Sequence, residues 1–147
     1  MPGEPKAAFK EKEMDMTRCV LAALAATVAC SFTDWLFMGV LWHEKYLAYP
    51  EVWRRQPGGS SGENKAVLWA CALNILTCAV FILLCAKLRL HGAGPFKLAA
   101  ALWIAAPLPL LVGNALFIKI HPRITLAHSL GWLAKFLVAA VAAAAVL

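Results

Sequence analysis

Charge is what this chain has least of. Only 15% of its 147 residues are charged, against about a quarter in soluble domains, while 62% are apolar and mean hydropathy is +0.70. A soluble globular class is thereby excluded. The usual signatures of soluble chemistry are missing too. There is no CxxC pair, no phosphate-cradling glycine loop, no dinucleotide fingerprint and no Ser-His-Asp spacing. The net charge of +6 comes with no nucleic-acid motif, and basic residues flanking membrane helices are ordinary interfacial anchors.

What the chain does have is four apolar blocks: Cys19 to Trp42, Ala66 to Ala86, Leu98 to Ile118 and Ile124 to Leu147. Each reaches the roughly 20 residues that a helix rising about 1.5 Å per residue needs to cross about 30 Å of hydrocarbon. The blocks are continuously apolar rather than alternating, and open strands leave backbone groups unpaired in lipid. The expectation is an all-α integral membrane four-helix bundle of one domain, residues 1–147. Its helices run over about 19–42, 66–86, 98–118 and 124–147, with a long first loop over 43–65. Thr27-Val28-Ala29-Cys30 faintly resembles a lipoprotein cleavage box, but Thr27 replaces the expected large aliphatic residue and the apolar run continues past Cys30, so helix one is read as uncleaved.

Short breaks at His91-Gly92-Ala93-Gly94-Pro95 and at Lys119-Ile120-His121-Pro122-Arg123 predict antiparallel neighbours in an up-down-up-down topology, with Pro122 opening helix four. In the first loop, aromatics mixed with charges from His43 to Arg55 predict a headgroup-level segment, and Gln56 to Gly62 has linker composition. Seven basic residues flank the side that carries the N-terminus and six flank the other. The positive-inside rule therefore leans towards cytoplasmic termini.

Inside the four blocks only two residues are charged, Asp34 and Lys135. An ionisable group at bilayer depth survives by pairing, by facing a wet cavity, or by staying neutral. Ala22, Ala26, Cys30 and Asp34 recur every four residues, a small-residue stripe that turns Asp34 towards the bundle. Cys71, Asn74, Cys78, Phe81 and Cys85 form a comparable seam on helix two. Pro107, Pro109, Gly113 and Asn114 predict a kink in helix three, with freed carbonyls near an amide. His128, Gly131, Trp132 and Lys135 share a face of helix four. Counted from the side holding the first and third loops, Asp34 and Asn74 lie roughly 12 Å deep, Lys135 roughly 16 Å, and Asn114 and His128 roughly 6 Å. The resulting expectation is a polar pocket, ligand- or proton-linked, lined by Asp34, Asn74, Asn114, His128 and Lys135 and roofed by Trp42, His43, Tyr46, Tyr49 and Trp53.

Plainer readings stand beside it. Asp34 and Lys135 form an ion pair that fixes helix register, the two asparagines act as interhelical glue, and His128 meets headgroups. His43, His91 and His121 lie at membrane edges, where a haem or metal role has little to recommend it. Cys71, Cys78 and Cys85 are spaced by seven, roughly 10 Å apart along a helix, too far for one metal or one disulfide. All five cysteines are expected as free thiols, and a thiol-redox role requires Cys30 to meet Cys71 or Cys78 across the bundle.

The stretch from Gly39 to Trp53, with Gly39, Trp42 and Trp53 in place, resembles the exit of helix one in an uncharacterised family of small bacterial four-helix integral membrane proteins. His43 stands where that pattern has a tyrosine, and the intervening segment is more charged. The resemblance implies the same four-helix architecture and carries over no activity. The arginine- and glutamate-bearing second helix of the trimeric glutathione-transferase-like membrane enzymes has no counterpart in Ala66 to Ala86. The functional expectation is a non-enzymatic accessory subunit or small-ligand-binding protein. The alternatives are an intramembrane enzyme for a lipid or quinone-like substrate, with Asp34 and His128 moving protons, and a proton-coupled transporter built as a dimer. The expected partners are membrane lipid and a larger membrane complex or second copy, with no nucleic acid and no metal. The sequence identifies no cofactor.

Overall fold

The computed structural model describes residues 15–47 and 61–147. Helix α1 is α-helical over Met16–Asp34 and continues as a π-helix over Trp35–Leu41. A short α2 follows at His43–Leu47, then α3 at Ser61–Lys87, α4 at Gly94–Ala105, α5 at Pro107–Phe117 and α6 at Pro122–Val146. Four stretches are long and apolar enough to cross a membrane: Met16–Leu41, Lys65–Lys87, Gly94–Phe117 and Pro122–Val146. The chain is thus an all-α, multi-pass four-helix bundle, with no strand among the described residues.

Local chemistry sets the ends of these helices. The Asp15 carboxylate accepts from the backbone N–H groups of Thr17 and Arg18 at 3.1 and 3.2 Å, satisfying two orphan donors of the first turn. At the end of α3, Leu90 N–H donates to Cys85 O and Arg89 N–H to Ala86 O, the paired closure of a Schellman turn. That turn needs a left-handed residue, and Arg89 supplies it at φ 51° where glycine is the usual choice. Helix α6 opens as expected, with Pro122 in its first turn. His121 caps it by accepting through Nδ1 from Arg123 N–H at 3.1 Å.

Two parts of the sequence reading are corrected. The first loop is shorter than 43–65. Its charged and aromatic start folds into α2, which packs on the π-helical segment and on α6, and α3 begins at Ser61 rather than after a linker reaching Gly62. Four residues of polar helix extend α3 ahead of its apolar span, where hydropathy carries no signal. Helix three is also two helices. Ala106, at φ −128° and ψ −72°, is outside helical geometry, and Pro107 restarts the chain as the first residue of α5.

Helix α6 is the centre of the bundle and packs against α1, α3, α4 and α5. Lipid tails are as apolar as leucine, so burial of large side chains does not drive helices together in a membrane. Close approach does. Among the described residues, twelve of the sixteen buried hydrophobic residues of the core are alanine or cysteine, with Cys30, Cys78, Ala139, Ala140 and Ala143 at 1% exposure or less. Large apolar residues point the other way, including Val28, Leu68, Trp69 and Phe117. One polar clasp joins α4 to α6, where the Trp103 Nε1–H donates to Ser129 O at 2.9 Å. Trp103→Phe removes the donor but keeps most of the ring. We expect it to lower stability by about 1 kcal/mol, the value of one interhelical hydrogen bond in a membrane, read as a lower SDS-unfolding midpoint in mixed micelles. An unchanged midpoint would show that the clasp contributes nothing.

Candidate functional site

Asp34 ends the α-helical part of α1, at the last position of the stripe that also buries Ala22, Ala26 and Cys30. Its carboxylate meets one group from each of two other helices. Asn74, buried on α3, donates through Nδ2 to Asp34 Oδ2 at 2.8 Å. Lys135, buried on α6, places Nζ 3.0 Å from Oδ1 and donates to Oδ2 at 3.3 Å. The triangle closes as Lys135 Nζ donates to Asn74 Oδ1 at 3.4 Å. Ser31 Oγ lies 3.5 Å from Asn74 Nδ2, at the limit of a hydrogen bond. The Trp132 ring lies under the ammonium, 4.3 Å from Nζ to its centroid, a cation–π contact on the same helix.

This arrangement makes an ion pair tolerable at bilayer depth. The amide acts as both donor and acceptor, so it binds the anion with one end and the cation with the other. The pair is unevenly covered, the Lys135 side chain being 9% exposed and that of Asp34 23%. Asp34 Oδ1 accepts no hydrogen bond among the described residues and is held by charge alone. The π-helical turns begin at the next residue, Trp35. Widened i→i+5 turns are rare and recur at functional positions.

Of the residues singled out from the sequence, Asp34, Asn74 and Lys135 are brought together. The chain itself therefore answers what neutralises Asp34. His128 is half-buried on α6, two turns before Lys135. Asn114 is elsewhere: it shares the expected depth, but its side chain is exposed on α5, whose facing is set after the irregular residue Ala106. Of the expected roof, Trp42 is half-buried and stacks on Phe37 with ring centroids 5.4 Å apart, and His43 is exposed. Tyr46 falls within α2, while Tyr49 and Trp53 lie outside the described residues. Trp132 and Ser31 belong to the site but were not assigned to it from sequence. Their signal was spacing alone, three residues before Lys135 and before Asp34. No group of three potential metal ligands occurs among the described residues.

A groove nearby is apolar. It has a volume of about 520 Å³ and opens beside the Ala106–Pro107 break, lined by residues including Val80, Phe81, Pro107, Trp132 and Phe136. Trp132 is common to both features, with the groove against its ring and the Lys135 ammonium over it. Neither Asp34 nor Asn74 lines the groove. Compared with protein-family models, curated proteins and solved structures, the chain matches none.

Proposed function

We propose that this chain is a non-enzymatic membrane subunit, an accessory or small-ligand-binding protein, that works through the Asp34–Asn74–Lys135 triad. The observation that carries the reading is the uneven cover of a three-helix ion site. The cation is enclosed, while the Asp34 side chain is 23% exposed at the start of a π-helical turn, with its buried Oδ1 accepting no hydrogen bond among the described residues. A ligand or partner bearing an ammonium or amide donor can compete there with Lys135 for Asp34, and the relative positions of α1, α3 and α6 are the lever such competition would move. An ion pair serving register alone has no need of that unfilled acceptor. Within this reading the termini are cytoplasmic, as the seven-to-six basic asymmetry favours, and a bacterial inner membrane is what the resemblance implies. The chain belongs with the small four-helix proteins that the Gly39 to Trp53 pattern resembles.

The test is purification in mild detergent with native mass spectrometry of the intact particle, comparing the natural chain with Asp34→Asn. The expected result is a stoichiometric small molecule or a partner membrane protein on the natural chain, reduced about tenfold by the variant, as loss of a charge-assisted contact of 1.4 kcal/mol or more requires. Equal retention of every bound species by the variant would remove the triad from the function.

A further inference from the structure

One turn from the triad, two thiols from different helices meet. Cys30 precedes Asp34 by four residues on α1, and Cys78 follows Asn74 by four on α3. Their sulfurs are 3.6 Å apart and both residues are buried, at 1% and 0% exposure. Cys30 also donates to Lys135 O on α6, with Sγ 3.7 Å from the oxygen. The other three cysteines make no such pair among the described residues. Cys85 is as deeply buried as Cys78, so burial does not distinguish them and proximity does.

We propose that Cys30 and Cys78 are a redox-modification site, a dithiol that closes reversibly into a disulfide bonding α1 to α3. A disulfide bond is about 2.05 Å long, so the sulfurs must approach by roughly 1.5 Å. The setting permits it. Small residues flank both thiols, with Ala26 on α1 and Ala79 on α3, and the two helices are already packed. Rotation about Cα–Cβ displaces a sulfur over a distance comparable with that gap.

The same burial selects the oxidant. No bulky or charged reagent reaches sulfurs at 0–1% exposure, whereas hydrogen peroxide is neutral, hardly larger than water, and crosses bilayers. In the first step one sulfur attacks a peroxide oxygen and the O–O bond breaks. A sulfenic acid forms, and the thiol proton leaves on the departing oxygen as water. In the second step the other sulfur attacks the sulfenic sulfur and the S–O bond breaks. Hydroxide departs with the second thiol proton, again as water. Two thiols and one peroxide thus give one disulfide and two waters. Thiol–disulfide exchange with a small dithiol returns the reduced pair. The product pins the two helices whose polar groups share the 2.8 Å Asn74–Asp34 bond, so oxidation holds those two corners of the triad in register. This proposal rests on the thiol geometry and stands apart from the ligand reading.

The test uses the unaltered chain in phosphatidylcholine vesicles exposed to hydrogen peroxide. It is then denatured, alkylated with iodoacetamide, digested without reduction and mapped by mass. The expected product is a linked pair of Cys30 and Cys78 peptides, lighter than their sum by two hydrogens. Alkylation of both falls about tenfold while that of Cys85 is unchanged, and dithiothreitol restores it. Recovery of Cys30 and Cys78 on separate peptides, alkylated or as sulfinic acids, would overturn the proposal. So would a link joining two chains rather than one.

Discussion

Lys135→Met is expected to be the most damaging single change on the surface of α6 that faces α1 and α3. It removes the cation from Asp34 and Asn74 while keeping a long, flexible apolar side chain of similar volume, so packing changes little. What remains is a carboxylate at bilayer depth with one amide donor at 2.8 Å and no counter-charge. Breaking one side of a buried pair costs about 3–5 kcal/mol in soluble proteins. In a membrane the unfolded helices also find partners for their polar groups, which trims the difference. About 3 kcal/mol of lost stability follows, read as the SDS fraction at half-unfolding in mixed micelles. The double variant Asp34→Asn, Lys135→Met removes both charges and leaves an amide pair at positions 34 and 74. It is expected within about 1 kcal/mol of the natural chain, because two well-placed neutral groups replace a pair that was costly to desolvate. Equal losses in the single and double variants would mean that the pair is not electrostatically coupled. Restored stability together with lost ligand or partner would separate the site's structural duty from its functional one.

Ala139→Leu is expected to rank second. Ala139 is wholly buried on α6, one turn beyond Lys135, in the cluster that also holds Ala22, Ala23 and Ala26 of α1. In a seam built from alanine and cysteine, backbone lies where three added carbons would go, and overpacking of this kind costs about 1–3 kcal/mol. We expect about 2 kcal/mol, with α1 and α6 forced apart and the Lys135–Asp34 contact lengthened. The comparison is Leu137→Ala on the same helix, at 40% exposure towards lipid. It exchanges one lipid contact for another and is expected to change stability by no more than about 0.5 kcal/mol. If the larger residue were tolerated and the smaller one were not, volume rather than close approach would hold the bundle together.

These expectations rest on features of unequal visibility in the sequence. The four spans follow from length and apolarity, which the bilayer thickness makes decisive. The inward turn of Asp34 follows from a four-residue stripe of small residues. Its meeting with Lys135 and Asn74 follows from depth counting on antiparallel helices. All three inferences use a regular α-helix as the ruler. Where the ruler breaks, the reading breaks with it. Asn114 lies beyond Ala106, so its orientation could not be counted from the residues before the break. The proline pair announced a kink, but not the size of the rotation across it. The π-helix over Trp35–Leu41 carries no compositional signal, being apolar throughout apart from Gly39. The early start of α3 was hidden by Ser61 and Gly62, residues that loops and first turns share. The approach of Cys30 to Cys78 was legible only as a condition, since the facing seam on helix two offers Cys71, Cys78 and Cys85.

The π-helical segment has a bearing on how this molecule can change over generations. A turn closed by i→i+5 bonds holds one residue more than an α-turn, so Trp35–Leu41 contains slack that the preceding helix lacks. Loss of a single residue there can be absorbed by tightening to α-turns, leaving everything up to Asp34 in its original phase. The same loss anywhere between Met16 and Asp34 would swing the carboxylate about 100° away from Asn74 and Lys135. Length variation in helix one is therefore affordable on one side of Asp34 and ruinous on the other.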